Sequence, residues 1–485
     1  MNLAFESRKL AALVMALAFA NGAAAQSVTM RDLGTLGGSA SNAISVNDGQ
    51  QVAGVSFIAG DAAGHAFVWT AANGLVDLGT LGGTWSRLAY RPDDPGATMN
   101  RRGEVTGSSA LRGDGSYHAF LWSAETGMVD LGTLGGAVSH GEGVSDTGQV
   151  VGLSYTPSGA FHAFSWTAQS GMLDVGTLPG DQHSVAIAVN NHGQVVGRSF
   201  GAAGWRAFSW TAEGGMIDLG FGAPPTGPTL NEAVDVNDSG QVAGWGVASD
   251  GSTQAFLWSA DAGMVTLGPF LPVDLNAHGQ VAGNGAGVDG SGHAFSWTAA
   301  GGLVDIGPAI ANAVSDRGDV VGQGQFVTDE GTVRRAFLWN AAGGVVNLGT
   351  VFGEDSMAVA VNNGRQVVGW SGTEGTTAIR ATMWVLSADI AAEVDSVIDR
   401  VRTYGLPHGL TNALRVKLTA AIASWSRGRS DAAFNQLRAF VNQVNAQRGK
   451  KLTKAQADEL LTPVQQIMSE LVNRTGSNPP YKHVF

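Results

Sequence analysis

Residues 172–211 read MLDVGTLPGDQHSVAIAVNNHGQVVGRSFGAAGWRAFSWT, and the runs within this stretch decide the fold. Four runs of six or seven residues are rich in Val, Ile, Phe and Trp and are bounded by Gly, Asn or Pro, which is typical of β-strands. The predicted strands are residues 172–178, 185–190, 194–199 and 206–211. Between the second and third strands, Asn190 to Gly193 predicts a tight hairpin turn. Four short antiparallel strands of this kind form one blade of a β-propeller.

The same pattern occurs eight times between Arg31 and Val385. The copies close on Trp69, Trp122, Trp166, Trp210, Trp258, Trp297, Trp339 and Trp384, which are 53, 44, 44, 48, 39, 42 and 45 residues apart. A period of about 45 residues is typical of propeller blades or of a solenoid, and not of a single globular enzyme domain.

The two ends of the array indicate how it closes. A lone strand, Val28 to Leu36, precedes the first Asn turn, and the Asp-Leu-Gly strand expected after Trp384 is missing. In a closed ring the N-terminal strand would complete the last blade and remove two free sheet edges. We therefore predict an all-β, eight-bladed β-propeller closed by the N-terminal strand, with an open β-solenoid as the weaker alternative.

The first 25 residues have the pattern of an export signal. Arg8 and Lys9 precede an apolar stretch from Leu10 to Ala20, and Ala23 to Ala25 offers small residues for cleavage. The mature chain is then expected to begin at Gln26 and to be secreted or periplasmic. No later segment has the roughly 18 uninterrupted apolar residues of a membrane helix, so we expect no membrane insertion.

Charge divides the chain into two domains. Residues 26–386 hold 31 Asp and Glu against 13 Arg and no Lys, a net charge of −18, whereas residues 387–485 hold 8 acidic against 13 basic residues, a net charge of +5. An acidic surface argues against nucleic acid as a partner, because phosphate binding depends on clustered Lys and Arg. The chain has no cysteine, so neither disulfides nor cysteine metal sites can stabilise it.

The second domain is predicted to be helical. Ile390, Val394, Val397, Ile398 and Val401 recur at helical spacing from residue 387 onward. Further helices are expected at 410–426, 430–446 and 453–472, with Ser430, Asp431 and Thr453 as candidate N-caps. The prediction is a small α-helical bundle over residues 387–473, followed by a C-terminal tail at 474–485.

Loop lengths indicate which face of the propeller carries function. The Asn-Gly turns and the turns after each Trp stay short, whereas the other two joins of each copy vary and should lie on one side of the disc. The longest variable joins are residues 84–98, 221–235 and 323–334. Binding residues concentrate on loops held by a rigid scaffold, so we expect the ligand on this face.

The histidines of the repeat are predicted to be scaffold. His65, His118, His162 and His293 open the last strand before Trp, but Arg or Gln takes this place in the other four copies. A metal ligand or general base could not be exchanged in this way, whereas a residue donating a structural hydrogen bond could.

Polar residues outside the repeat pattern are the better site candidates. Trp, Tyr and Arg suit a sugar or polyanion, through ring stacking and a planar donor fork. The predicted ligand-binding residues are Trp85, Arg87, Tyr90, Arg91, Glu354 and Asp355, and the predicted catalytic residues, should the protein be an enzyme, are His140, His183, Tyr155 and Glu142. On a uronic-acid polymer, an Arg could neutralise the carboxylate while a His or Tyr removed the α proton. The sequence indicates no metal site and no cofactor.

The repeats resemble the HAF-type extracellular repeat. The resemblance rests on His-Ala-Phe at 65–67, 118–120, 162–164 and 293–295 and on Asp-Leu-Gly-Thr-Leu-Gly-Gly at 77–83 and 130–136, and it spans about residues 28–386. It implies secretion and a propeller-like fold. It does not imply an activity, because that family is largely uncharacterised.

Residues 409–467 are similar to the FIMAH-type helical domain. The similarity includes LRAFVN at 437–442 and QRGKK at 447–451. This resemblance implies a module that is appended to secreted bacterial enzymes, many of which act on polysaccharides.

Three functions fit these features. The first is a secreted bacterial propeller that binds an extracellular polymer, a carbohydrate above all, on its variable face. The second is an enzyme on the same face, a polysaccharide lyase or a glycoside hydrolase. The third is a structural protein that self-assembles. The sequence leaves the oligomeric state open.

Overall fold

The computed structural model describes residues 28–89, 97–202, 204–221, 229–328, 331–372, 379–386, 390–425, 427 and 429–475. The chain divides into two compact domains, a β domain over residues 28–385 and a helical domain that follows it. The predicted signal peptide and residues 476–485 of the predicted tail lie outside the described residues.

The β domain is built of four-stranded repeats, numbered here in chain order. Repeat 1 comprises β2 (Gly37–Val46), β3 (Val52–Ile58), β4 (Gly64–Thr70) and β5 (Gly74–Asp77); repeat 2 comprises β6 (Gly82–Arg87), β7 (Val105–Leu111), β8 (Tyr117–Ser123) and β9 (Gly127–Asp130). Repeat 3 comprises β10 (Ser139–Val144), β11 (Val150–Tyr155), β12 (Phe161–Thr167) and β13 (Gly171–Gly176); repeat 4 comprises β14 (His183–Val189), β15 (Val195–Gly201), β16 (Gly204–Thr211) and β17 (Gly215–Asp218). Repeat 5 comprises β18 (Thr229–Val236), β19 (Val242–Val247), β20 (Thr253–Ser259) and β21 (Gly263–Gly268); repeat 6 comprises β22 (Phe270–Leu275), β23 (Val281–Ala286), β24 (Gly292–Thr298) and β25 (Gly302–Gly307). Repeat 7 comprises β26 (Ala309–Val314), β27 (Val320–Thr328), β28 (Gly331–Asn340) and β29 (Gly344–Gly349); repeat 8 comprises β30 (Asp355–Val361), β31 (Gln366–Gly372) and β32 (Ile379–Leu386), with β1 (Val28–Gly34) beside β32.

These strands form six four-stranded sheets and one eight-stranded sheet over the described part of the domain. The eight-stranded sheet joins repeats 4 and 5 through a short parallel pairing of Gly204 with Thr229 and of Trp205 with Leu230. Within each repeat the strands follow one another in antiparallel order. The first strands of neighbouring repeats pack against each other, β14 on β18 and β30 on β2 for example, so they form the inside of the array.

The N-terminal strand completes the last repeat, as the sequence predicted. β1 pairs with β32 as the outermost strand of that sheet. Leu33 of β1 shares a buried cluster with Phe67 of repeat 1 and Met383 of repeat 8. The first and last repeats are also bonded directly, because Ala381 N donates to Ser41 Oγ at 2.9 Å.

The turns after the inner strands are joined in a closed circuit of hydrogen bonds. The side-chain amide of the Asn that opens a turn donates to the main-chain carbonyl of the equivalent residue in the next repeat. These bonds are Asn47 to Asn100 (3.0 Å), Asn100 to Ser145 (2.9 Å), Asn190 to Asn237 (3.0 Å), Asn237 to Asn276 (3.1 Å), Asn276 to Ser315 (2.9 Å) and Asn362 to Asn47 (2.9 Å). The two turns that open on Ser are linked onward by main-chain N–H groups, Asp146 to Asn191 Oδ1 (2.7 Å) and Asp316 to Asn363 Oδ1 (3.0 Å). The circuit therefore passes through eight turns and returns to the first.

A second set of bonds fastens the body of each repeat to the next. The main-chain N–H of the Ala in the His-Ala-Phe position donates to a small polar side chain at the start of the following inner strand. The acceptors are Ser41, Ser86, Ser139, Ser184, Asn231 and Ser356. Phe270 of repeat 6 and Ala309 of repeat 7 occupy the same place in the register and cannot accept this bond. The junctions between repeats 5 and 6 and between repeats 6 and 7 therefore need another link.

Two aspartates supply that link. Leu275 N donates to Asp235 Oδ2 at 3.0 Å across the first of these junctions, and Val314 N donates to Asp274 Oδ2 at 2.7 Å across the second. Burial raises the pKa of Asp274 well above its ordinary value, and the adjacent Asp235 raises it further. Burial also raises the pKa of Asp235. A side-chain hydrogen bond between the two carboxyl groups lowers the pKa of Asp235 and raises that of Asp274, so Asp274 is the member of the pair that keeps its proton to higher pH.

The helical domain consists of four helices, α1 (Ile390–Thr403), α2 (His408–Trp425), α3 (Ser430–Gln447) and α4 (Lys454–Thr475). Leu414, Leu437, Phe440 and Val464 belong to its buried core. Thr453 caps α4 as predicted, because its Oγ1 accepts from Gln456 N at 3.1 Å while Gln456 Oε1 accepts from Thr453 N at 3.0 Å. The prediction for Ser430 was wrong, since Arg429 holds the cap position of α3 and makes no side-chain cap bond. Among the described helices, none is long and apolar enough to cross a membrane.

We expect Asp274→Asn to change how stability depends on pH. An aspartate whose pKa is raised by folding keeps its proton in the folded protein after the unfolded chain has lost it. Wild-type stability should therefore fall as pH rises from about 4. Asn keeps an oxygen for Val314 N and an N–H for Asp235, and it does not titrate. The variant should gain stability over the wild type as pH rises toward 8, with the gain vanishing in acid.

Denaturant unfolding of the full chain at a series of pH values measures this difference. Asp261→Asn, at an exposed turn, controls for the loss of one negative charge. A constant offset between Asp274→Asn and the wild type at every pH would contradict the shared proton.

Candidate ligand-binding face

The variable face is the end of the β domain opposite the Asn turns. It holds the joins between the second and third strands of each repeat and the joins between repeats. The start of the inner strand, the end of the second strand and the start of the third strand meet there. The longest predicted loops are partly strand, because Thr84 to Arg87 lies in β6 and residues 323–334 belong mostly to the hairpin of β27 and β28.

Repeats 2 and 3 bring Trp85, Arg87, Tyr117 and His140 together on this face. The ring centres of Trp85 and Tyr117 lie 5.4 Å apart. The Arg87 guanidinium lies 4.9 Å from the centre of the Trp85 ring and 5.9 Å from that of Tyr117. An Arg held over aromatic rings is fixed in place by a cation–π interaction while its N–H groups stay free to donate.

His140 is bonded through both ring nitrogens. Its Nε2 lies 2.9 Å from Tyr117 Oη and its Nδ1 lies 3.2 Å from Ser108 Oγ. Burial raises the pKa of Tyr117, the Arg87 charge lowers it, and Tyr155 raises it. Because the pKa of Tyr117 is raised overall, its hydroxyl keeps its proton at neutral pH and can donate a hydrogen bond to His140 Nε2.

An aromatic stack continues from repeat 3 into repeat 4. Phe161 lies 5.6 Å from Tyr155, 4.4 Å from His183 and 5.2 Å from Phe200, measured between ring centres. Phe161 N donates to His183 Nδ1 at 3.2 Å. A neutral His183 must then carry its proton on Nε2, which makes that atom a hydrogen-bond donor.

The series ends at Trp205 of repeat 4, whose side chain is 37% exposed. Arg198 lies 4.6 Å from the centre of the Trp205 ring, and its Nη1 donates to Glu232 Oε1 at 2.5 Å. We call the whole set the aromatic arc; its members are Trp85, Arg87, Tyr117, His140, Tyr155, Phe161, His183, Arg198, Phe200 and Trp205.

Five of the predicted site residues lie in the aromatic arc: Trp85, Arg87, His140, Tyr155 and His183. Glu142 lies on β10 at a bulge between Gly141 and Gly143 and is partly buried. Tyr90 and Arg91 lie outside the described residues.

The other two predicted ligand-binding residues, Glu354 and Asp355, lie in repeat 8 and not in the arc. Asp355 begins β30 and is held by Arg334 of repeat 7, with Nη2 to Oδ2 at 3.6 Å, and Arg334 N donates to its Oδ1 at 3.3 Å. These contacts give Asp355 a structural partner between two repeats.

Tyr117, Phe161 and Trp205 were not among the predicted site residues, although the sequence contains a pattern that marks them. Each stands directly before the His-Ala-Phe position, at the start of the third strand of repeats 2, 3 and 4. The equivalent residue is Gly64 in repeat 1 and Thr253 in repeat 5. This position is aromatic in three consecutive repeats and non-aromatic in the others, so the aromatic residues mark one sector of the face.

The repeat histidines have the scaffold role that the sequence indicated. Nδ1 of His65, His118, His162 and His293 lies 2.7 to 3.0 Å from the carboxylate of an Asp twelve residues later. Arg206 takes the same place in repeat 4 and binds Asp218 at 3.1 Å. Either His or Arg at this position bonds to the equivalent Asp, and the bond fastens the third strand to the fourth.

The described part of the chain has no ready site for a metal ion. There, no three His, Asp or Glu side chains are grouped so that they could hold an ion.

Comparison with known proteins identifies one module. Residues 391–469 match the FIMAH domain, which agrees with the prediction for the helical domain. No curated protein matches the sequence.

The solved structures that resemble the chain are distant. TolB from Acinetobacter baumannii is 9% identical, with a TM-score of 0.34 over 67% of this chain and 76% of its own. The BP39L lectin from Burkholderia pseudomallei is 12% identical, with a TM-score of 0.33 over 67% of this chain and 98% of its own. The Aleuria aurantia lectin is 10% identical, with a TM-score of 0.27 over 52% of this chain and 93% of its own. At these values the similarity carries no argument about function, which must come from the variable face itself.

Proposed function

We propose that this protein is an exported, eight-bladed β-propeller that binds an extracellular carbohydrate polymer on its variable face. The observation that carries the proposal is the aromatic arc. Six aromatic rings, Trp85, Tyr117, Tyr155, Phe161, Phe200 and Trp205, follow one another across repeats 2 to 4, interleaved with His and Arg side chains.

The chemistry of the arc suits sugars. Pyranose rings present apolar C–H faces to aromatic rings and hydroxyl groups to polar side chains, and Trp and Tyr offer both kinds of contact. His183 Nε2 and the Arg87 guanidinium supply donors beside the rings, and Tyr117 Oη, whose own proton is directed to His140, can accept. A row of rings over three repeats favours an extended chain of sugars over a single small molecule.

The blade count and the cellular location belong to the same proposal. A hydrogen-bond circuit through eight turns is what an eight-bladed ring requires. The signal-like first 25 residues and the resemblance of the repeats to the HAF-type extracellular repeat support a location outside the cytoplasm. The FIMAH domain supports the same setting.

The contacts around the histidines favour binding over catalysis. His140 has a partner on each ring nitrogen, and His183 presents a donor where a general base would need a lone pair. Tyr117, with a raised pKa, stays protonated and is a poor base at neutral pH.

Removal of one ring from the arc should weaken binding. We expect Trp85→Ala to lower affinity about tenfold or more, because removal of an aromatic ring that stacks on a ligand costs on the order of 1–3 kcal/mol. Isothermal titration of the mature protein against a panel of polysaccharides measures this. Phe57→Ala is the matched control, since Phe57 is the penultimate residue of β3 in repeat 1, is 37% exposed and lies outside the arc. Absence of binding to every polymer in the panel would refute the proposed function.

A second candidate function is polysaccharide cleavage, by a lyase or a glycoside hydrolase on the same face. The close contact of His140 with Tyr117, near Tyr155, is the observation that favours it. Incubation with acidic polysaccharides would then produce absorbance from unsaturated sugar ends or new reducing ends. His140→Ala should abolish this activity, whereas His192→Ala, in an Asn turn at the other end of the domain, should retain it. Equal activity in both variants would remove His140 from the mechanism.

A further inference from the structure

Arg87 is an exposed cation without a carboxylate partner among the described residues. The rings of Trp85 and Tyr117 are its contacts there. Arg198 occupies a similar place over Trp205 but is neutralised by Glu232. Among the described residues, the arc therefore contains one guanidinium that is paired with a carboxylate and one that is not, each stacked on a Trp.

Most arginines in the described part of this domain have a carboxylate partner. Acidic residues outnumber arginines by 31 to 13 over residues 26–386, so a carboxylate partner is easily supplied. Arg206, for example, binds both Asp181 and Asp218, and Arg365 binds Asp319. Arg31 also lies over a Trp ring without a carboxylate partner among the described residues, but it belongs to β1 and lies outside the aromatic arc. Within the arc, an Arg that is held by ring contacts and has no acid among the described residues keeps its N–H groups available for an acid on a ligand.

We infer that the Arg87, Trp85 and Tyr117 cluster is a subsite for a sugar that carries a carboxylate, a uronic acid residue of a polysaccharide. The guanidinium fork receives the carboxylate, and the exposed part of the Trp85 ring packs against the sugar. The Tyr117 hydroxyl, which stays protonated, lies beside it as a further polar group. This inference rests on the proposed function and specifies its substrate class.

The charge of the whole domain selects among anions. A domain with a net charge of −18 repels a densely charged polymer at long range. One free Arg can neutralise one monoanionic sugar at a time but cannot offset a chain with several sulfates per residue. Because the acidic domain repels anions at long range, the subsite binds the carboxylate at contact distance and does not attract the polymer by electrostatic steering.

A charged polymer and its uncharged ester test the inference. Polygalacturonate and its fully methyl-esterified form share one backbone and differ in the carboxylate. Titrations of the mature full chain with both polymers, for the wild type, Arg87→Gln and Arg31→Gln, give six affinities. Arg31 of β1 is the matched control. It is exposed, its guanidinium lies 4.7 Å from the centre of the Trp69 ring, and it has no carboxylate partner in the described structure.

The inference predicts that the wild type and Arg31→Gln prefer polygalacturonate over the ester by about tenfold, as a hydrogen-bonded charge pair allows. Arg87→Gln should lose the preference and retain its affinity for the ester. Circular dichroism of each variant verifies that it is folded.

Two results for the wild type and one for the variant would overturn the carboxylate subsite while leaving carbohydrate binding intact. One is equal affinity of the wild type for the acid and the ester, and the other is a preference for dextran sulfate over polygalacturonate. A preference that survives in Arg87→Gln would also overturn it. Failure of the wild type to bind any of these polymers or the neutral panel would instead refute the proposed function.

Discussion

The hydrogen-bond circuit of the Asn turns is the interaction on which the rest of the β domain depends. Each link uses a side-chain amide or main-chain N–H that would otherwise be left unsatisfied where inner strands converge, and a buried donor without a partner costs about 1–3 kcal/mol. The link from Asn362 back to Asn47 spans 315 residues of sequence, so it can form only when the array is closed. The requirement explains why the turns scarcely vary in length.

Constraint at one end of the domain leaves the other end free to differ. The bonds from the Ala N–H groups to Ser or Asn, here called staples, and the His–Asp pairs hold the strands of each repeat. Their residues alternate with those of the arc, as Ser86 does between Trp85 and Arg87. Where the staple is missing, between repeats 5 and 7, Asp235 and Asp274 replace it with bonds of their own. The aromatic arc therefore occupies repeats 2 to 4 without loss of a link in the scaffold.

The repeat pattern was sufficient for the strands, their order and the closure by β1, because each depends on local turn chemistry and on period-two burial. It also suggested Trp85, Arg87, His140, Tyr155 and His183 as site candidates, because the pattern does not explain them, and this stays a prediction. It gave no sign that they contact Tyr117 or Phe161, since those contacts join different strands of a repeat or cross between repeats. It grouped Glu354 and Asp355 with the same candidates, whereas both lie in repeat 8 and outside the arc. The proton shared by Asp235 and Asp274 arises from burial between inner strands, which composition does not reveal.

A disulfide across the ring closure tests the central claim most directly. The chain has no cysteine, and Asn363 N and Nδ2 lie 2.9 and 3.1 Å from the Asp48 carboxylate oxygens, so Asp48→Cys with Asn363→Cys brings two thiols together. Mild oxidation of the dilute protein should give a cross-linked monomer on a non-reducing gel, whereas Asp48→Cys with Asn191→Cys, three links away in the circuit, should not cross-link. A closed ring predicts that difference. An open array would leave both pairs as free thiols, and that result would contradict the account.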